Sequence, residues 1–267
     1  MKKNCFYFLI LTLASSGLTT QGATLIHHYD METVTNGRPQ DISTDTSFTG
    51  GSTTSTSVSG GSCGNYLDMS GSTAGLTGGS NSGYAESQSK NIAFSLMFNT
   101  GTLPTFSSGS KPDAGQWLFS TKPDAGGNAL KFGIGPDGRL TGGVSWQFSL
   151  SSANNLVTAN TWYQLGVVIS GSKFEIYLNG VSVASTDYTG NFDIGTVSTN
   201  IASNNQSITE GNYNGKIDEV KVWNEVASQA EGAGLMQNEA ARMIPEPGSV
   251  MLGLLGLIPL IMRRRRA

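Results

Sequence analysis

Histidine and cysteine are almost missing from this chain, with two of each among 267 residues. Cys5 falls in an N-terminal apolar stretch that reads as a removable leader, which leaves Cys63 alone. A disulfide framework within one chain is thereby excluded, and a hydrophobic core must hold the fold. The two histidines, His27 and His28, are neighbours. Alternation along a strand sends them to opposite faces, one packed on the sheet and the other exposed. A Ser-His-Asp triad or a zinc site would have to use one of this pair, and nothing else in the chain points to either. Charged residues make up only 13% of the chain, and helix-period patterning is rare. Long hydrophobic runs are lacking too. The most apolar one, Val250 to Met262, is 13 residues and is broken by Pro259, whereas a stable spanning helix needs about 20.

Both chain ends carry addresses. Lys2 and Lys3 form a positive start, Cys5 to Ala14 an apolar centre, and Ser15 to Ala23 a small, polar end, the layout of a secretory signal peptide over residues 1–23. The expected cut follows Ala23, although Gln21 fits poorly at the −3 position and the site can shift by one or two. At the other end, residues 243–267 hold Pro245-Glu246-Pro247, the apolar run, and Arg263, Arg264, Arg265 and Arg266. The prolines stop the preceding chain, and the arginines keep the segment's end on the cytoplasmic side. This order resembles the PEP-CTERM sorting signal of Gram-negative bacteria that make exopolysaccharide. The resemblance implies export across the inner membrane with signal peptidase and an exosortase as partners. It also implies transient membrane anchoring by the tail before release to the cell surface or extracellular matrix.

Removing Lys2, Lys3 and Arg263 to Arg266 takes six of the 16 basic residues and none of the 19 acidic ones, so the net charge falls from −3 to −9. So acidic a surface repels phosphate backbones and excludes nucleic acid as a partner.

The remaining 24–242 reads as one all-β domain. Strands are expected at Leu25–Tyr29, Asn65–Met69, Ile92–Phe98, Trp117–Ser120, Leu130–Ile134 and Leu140–Trp146. Lys-Pro-Asp-Ala-Gly occurs at 111–115 and at 122–126 as two turns flanking the Trp117 strand. Residues 43–62 and 70–82, rich in Ser, Thr and Gly, are long loops or weak edge strands. From Asn160 the pattern is strongest: Trp162–Ile169, a turn, Lys173–Leu178, the turn Asn179-Gly180, and Val181–Ala184. Asn-Gly accepts positive φ at both positions of a tight hairpin. Phe174, Ile176 and Leu178 share a buried face, with Lys173, Glu175 and Tyr177 on a wet one.

The segments Asn160-Thr-Trp162-Tyr-Gln-Leu-Gly, Tyr177-Leu-Asn179-Gly180-Val and Gly215-Lys-Ile-Asp218-Glu219-Val-Lys-Val-Trp223-Asn224 resemble the laminin G, or LamG, family of concanavalin A-like jelly rolls. The resemblance implies an antiparallel two-sheet jelly-roll sandwich. Residues 227–243 would form a short C-terminal helix, weakened by Gly232 and Gly234. Trp162, Asn179, Gly180, Asp218 and Trp223 are expected as structural positions, with both tryptophans inside.

The same fold serves glucanases, which need paired carboxylates about 5 Å apart when they retain stereochemistry. On a regular strand Lys216, Asp218 and Val220 share one face and Glu219 takes the other, so the pair cannot aim at one sugar. The expectation is no enzyme, with glycoside hydrolase as the disfavoured alternative and Asp218 as a structural carboxylate. Gly60-Gly61-Ser62-Cys63-Gly64 fits a serine-hydrolase pattern but lacks the strand-then-helix flanks that it requires. Calcium stays open as a cofactor, because some LamG domains bind it through oxygen ligands. Asp41, Asp45, Asp113, Asp124, Asp137 and Asp193 lie in expected loops without a calcium-loop spacing, and no metal ligands are assigned. Two functions follow. One is an adhesive module binding extracellular polysaccharide or another glycan, with Trp117, Trp146, Tyr163 and Tyr213 as candidates to stack on sugar rings. The other is a structural matrix component with no defined ligand.

Overall fold

The strand signals after Asn160 become a three-stranded meander, β14 (Trp162–Ser170), β15 (Lys173–Leu178) and β16 (Val181–Asp187). Its tight turn has φ of 51° at Asn179 and 76° at Gly180, as the Asn-Gly pair anticipates. The computed structural model describes residues 22–35, 38–43, 46–47, 50–51, 56–60, 64–71, 75–80, 91–105, 115–122, 129–144, 148–188, 198–202 and 213–243. The expected leader up to Gln21, the expected sorting tail from Ile244, Cys63, Trp146, Asp45, Asp113, Asp124, Asp193 and most of the two Lys-Pro-Asp-Ala-Gly turns lie outside the described residues.

The other strands are β1 (Thr24–Tyr29), β2 (Val34–Thr35), β3 (Arg38–Asp41), β4 (Thr46–Ser47), β5 (Gly50–Gly51), β6 (Thr56–Ser59), β7 (Asn65–Asp68), β8 (Leu76–Ser80), β9 (Ile92–Thr100), β10 (Gln116–Lys122), β11 (Leu130–Ile134), β12 (Leu140–Val144), β13 (Phe148–Ser151), β17 (Ser198–Ile201) and β18 (Gly215–Asn224). Two antiparallel sheets face each other. The first runs β16-β15-β14-β9-β18-β7-β6, with β1 also paired to β18, and the second runs β13-β12-β11-β10-β17-β8-β5. A small third sheet joins β2, β3 and β4. This is a jelly-roll sandwich.

Strand alternation builds the core. Phe94 and Phe174 come from the first sheet, and Phe119 and Phe132 from the second. Phe94 lies 4.9 Å from Phe119 and 5.4 Å from Phe132 between ring centroids, the tilted spacing aromatic pairs favour.

A helix, α1 (Gln229–Met243), packs on the outer face of the first sheet. Its start is capped: Ser228 Oγ accepts the Glu231 N–H at 3.2 Å, and Glu231 Oε2 accepts the Ala227 N–H at 2.7 Å. Two glycines allow the approach. A Cβ at Gly232 would drive into Val168, and one at Gly166 into Met236. Gly232 weakens the helix in isolation, yet it is what lets the helix dock. The helix also overturns the expectation of a wet face on β15. Glu175 and Tyr177 are buried, and Tyr177 joins Ala93, Val168, Trp223, Val226 and Met236 in a second apolar cluster beneath α1.

Candidate functional site

Pairing fixes four rows across the outer face of the first sheet. Val168, Ala93 and Trp223 form one, Gly166, Ser95 and Lys221 the next, and Gln164, Met97 and Asp218 the third. Trp162, Asn99, Lys216 and Asp68 form the fourth. The helix lies over the first rows, where Gly232 meets Val168 and Met236 meets Gly166.

Beside α1 the sheet face carries charge. Glu219 Oε2 receives His28 Nε2 at 3.0 Å, Lys221 Nζ at 2.7 Å and Arg242 Nη1 at 3.2 Å. Lys221 also reaches Glu239 at 2.6 Å, and Arg242 reaches Glu239 at 3.4 Å. Burial alone would raise the Glu219 pKa, but the His28 hydrogen bond and the charges of Lys221 and His28 outweigh it and hold the carboxyl down to about 2. A β-bulge creates this geometry. Ile217 and Val220 both reach the inter-sheet core, so one extra residue sits between them, and Glu219 takes φ of 49°. The regular alternation expected for Lys216 to Val220 therefore fails from Glu219 onward: Val220 faces the core with Ile217 and does not share a face with Lys216 and Asp218. Asp218 is fully buried, and its Oδ1 accepts the Glu219 N–H at 2.8 Å, which fixes the bulge.

Both histidines are buried, which corrects the exposure expected for one. His27 Nδ1 meets Asp41 Oδ2 at 2.5 Å, while Asp41 Oδ1 accepts the His28 N–H at 2.9 Å. Asp41 is thus no loop aspartate. It closes β3 as a fully buried carboxylate that also takes the Ser43 N–H and hydroxyl. Asp137 does sit in a turn, paired with Arg139 at 2.6 Å. Among the described residues no group of three or more His, Cys, Asp or Glu is placed to hold a metal.

Of the proposed stacking residues, Trp117 and Tyr213 are each 1% exposed. Neither can offer a ring face to a sugar, and the expectation fails for both. Trp117 lies under Lys131, whose Nζ is 5.5 Å from the ring centroid. Tyr213 is in the core and its hydroxyl donates to the Lys216 carbonyl at 3.3 Å. Tyr163 is half-buried at the core edge, stacked on Phe98 at 5.7 Å, with its hydroxyl 2.9 Å from Thr158 Oγ1. Trp223 is inside, though beneath α1 and not between the sheets. Asn179 Oδ1 accepts the Gln164 N–H at 2.9 Å and Gly180 N–H donates to Gln164 Oε1 at 3.1 Å, so the hairpin turn is tied back to β14.

Trp162 departs most usefully from expectation. It is half-buried and faces outward in the fourth row. Its ring meets Tyr66 edge-on at 5.9 Å, and Lys216 Nζ stands 4.8 Å over the Tyr66 ring. Asn99 is buried between them, while Lys216 and Asp68 are half-buried. Four strands carry the row, so it spans roughly 14 Å. The result is a pair of aromatic rings that meet across the row, Trp162 from β14 and Tyr66 from β7, with hydrogen-bonding groups of both kinds between and beside them. The sequence holds the signal: Trp162 is in phase with Gln164, Gly166 and Val168, not with the core residues Leu165, Val167 and Ile169.

The outer face of the second sheet is polar in another way. Register aligns Ser149, Gly143, Lys131, Ser120 and Asn200 in one row. Lys131, Ser120 and Asn200 are all buried, and burial lowers the Lys131 pKa to about 8.

Residues 106–231 match the Laminin_G_3 family, described as the concanavalin A-like lectin/glucanases superfamily. No curated protein matches the chain. Among solved structures the fold is similar to domain 4 of AbnA, a GH43 extracellular arabinanase from Geobacillus stearothermophilus, in complex with arabinotriose. That match has 18% identity and a TM-score of 0.58, and covers 81% of this chain and 100% of that one. The binding domain of Paraclostridial Mosquitocidal Protein 1 matches at 13% identity and a TM-score of 0.56, over 81% of this chain and 52% of that one. Trypanosoma rangeli sialidase matches at 10% identity and a TM-score of 0.62, over 91% of this chain but only 37% of that one. At these identities the likeness is one of fold alone. The match spans residues 106–231, just under half of the chain, and the two antiparallel sheets are consistent with that superfamily's jelly-roll sandwich.

Proposed function

We propose that the protein is an exported, exosortase-sorted component of a bacterial surface or extracellular matrix, and that its domain binds carbohydrate, without catalysis, on the Trp162 platform. The observation that carries the binding reading is Trp162 itself, a half-exposed indole backed by Tyr66 and continued by Asn99, Lys216 and Asp68. A flat apolar ring beside ordered donors and acceptors suits a sugar, which has an apolar ring face and a hydroxyl edge. The likeness to an arabinanase domain seen with arabinotriose supports the ligand class. The non-catalytic reading draws on Asp218 and Glu219. One is fully buried and the other is bound by His28, Lys221 and Arg242, so neither is available as a general acid.

The binding test is saturable association of the exported protein with the host's exopolysaccharide and with a glycan panel, in calcium and again in EDTA. Binding is expected in both. Loss in EDTA would place a calcium ion at the site. A folded sample that binds nothing would sink the carbohydrate reading and favour a structural matrix role, which the burial of Trp117 and Tyr213 would then suit. For the sorting reading, replacing Pro245 and Pro247 with Ala is expected to leave the protein membrane-retained and uncut. Among the described residues no helix is long and apolar enough to cross a membrane. Normal release of that variant would refute exosortase sorting.

A further inference from the structure

We infer that the exported chain begins at Ala23, the leader being cut between Gly22 and Ala23; this rests on the export reading above. A cut there places Thr20 at −3 and Gly22 at −1, both small, whereas a cut after Ala23 places Gln21 at −3. The fold treats the two residues differently. Gly22 is exposed. Ala23 packs against the apolar cluster under α1, and its N–H donates to Glu231 Oε1 at 2.7 Å. The other oxygen of Glu231 takes the Ala227 N–H, and its backbone N–H is capped by Ser228. One carboxylate thus ties the residue before β1 to the first turn of α1.

Signal peptidase would hydrolyse the Gly22–Ala23 bond. The hydroxyl of water ends on the Gly22 carbonyl carbon, and a proton goes to the Ala23 nitrogen. The new amine is largely protonated at neutral pH, since α-amino groups titrate at about 7.7–8.0. The amide donor already aimed at Glu231 becomes an ammonium, and a neutral hydrogen bond becomes a charge-assisted one, roughly twice as strong. Maturation at this bond strengthens the clamp between β1 and α1. A cut one residue later would discard both the donor and the packed methyl.

The test exports the full-length chain in a Gram-negative host and identifies its N-terminal peptide by mass spectrometry. Ala23 is the expected first residue. A start at Thr24, or at any other internal residue, overturns the inference but leaves export standing. A chain still beginning at Met1 removes both. As a second measurement, proteins starting at Ala23 and at Thr24 are melted side by side. The Thr24 form is expected to melt about 2–4 °C lower. Glu231→Gln should lower the melting temperature of the Ala23 form more than that of the Thr24 form, in which Glu231 still caps the Ala227 N–H. Equal melting of the two forms, or an equal response to Glu231→Gln, would overturn the clamp.

Discussion

The outer face of the first sheet has two ends, and they differ in what covers them. Under α1, contact is made possible by residues that give way: Gly166 admits Met236, and Gly232 admits Val168. The charges beside the helix are matched within the chain, Glu219 and Glu239 against Lys221 and Arg242, with His28 hydrogen-bonded to Glu219. At the far end stand Trp162, Lys216 and Asp68, large or polar side chains left half-open. A surface satisfied by its own chain contributes stability, whereas an aromatic left partly in water contributes less, and in the proposed reading it is where the sugar docks. The ends should therefore respond in opposite ways to substitution, the first in stability and the second in binding.

The largest effect is expected at Lys221, whose side chain is 3% exposed between two carboxylates. Lys221→Ala removes the ammonium that Glu219 and Glu239 share and leaves them Arg242 and His28, so the cost should be about 3 kcal/mol, the low end for breaking a buried pair. Urea titration should show this fall, with carbohydrate binding retained by whatever fraction stays folded. An unchanged midpoint would mean that the network adds nothing to the closed end.

Acid should weaken the same end. Glu219 titrates near 2 in the fold, against 4.5 as its ordinary value. Its contribution is fully present above pH 4.5 and is lost as pH falls from there toward 2, with a total of about 3 kcal/mol. In Glu219→Gln that part of the acid limb should flatten in a stability-versus-pH series. A limb of the same slope in the variant would assign the acid sensitivity to other carboxylates. A smaller loss, about 1–3 kcal/mol, is expected for Gly232→Val, which forces α1 off Val168.

Much of this could be read in the chain. The alternation in Ile92–Phe98 and Lys173–Leu178 locates strands β9 and β15, and Asn179-Gly180 locates the turn between β15 and β16. What could not be read was whatever depends on distant neighbours. Period-two logic assigns Tyr177 to solvent, and only the arrival of α1 buries it. The same logic fails at Glu219, where a bulge inserts a residue with no glycine or proline to announce it. Residue type suggests Trp117 and Tyr213 for stacking, but type does not fix exposure, and both are buried. Trp162 shows the converse error. Its phase relative to Leu165 and Val167 pointed outward, but a preference for burying tryptophan overrode the phase.

The smallest stability change and the sharpest functional one are expected at Trp162. Its ring is half-buried and touches Tyr66 at its edge, so Trp162→Ala removes little of the core and should cost about 1 kcal/mol or less. If the indole is where a sugar ring stacks, the same change should weaken glycan binding at least about tenfold, equivalent to ~1.4 kcal/mol. Trp162→Phe keeps a ring in the row and should restore part of the affinity. Lys216→Gln should act differently, lowering affinity for acidic glycans and its salt sensitivity while leaving neutral ones nearly unaffected. Calorimetric titration of all three variants against one neutral and one acidic oligosaccharide separates stacking from charge. Full affinity in Trp162→Ala would take the ligand away from the open end of this sheet, and the contrast between the two ends would then be one of packing alone.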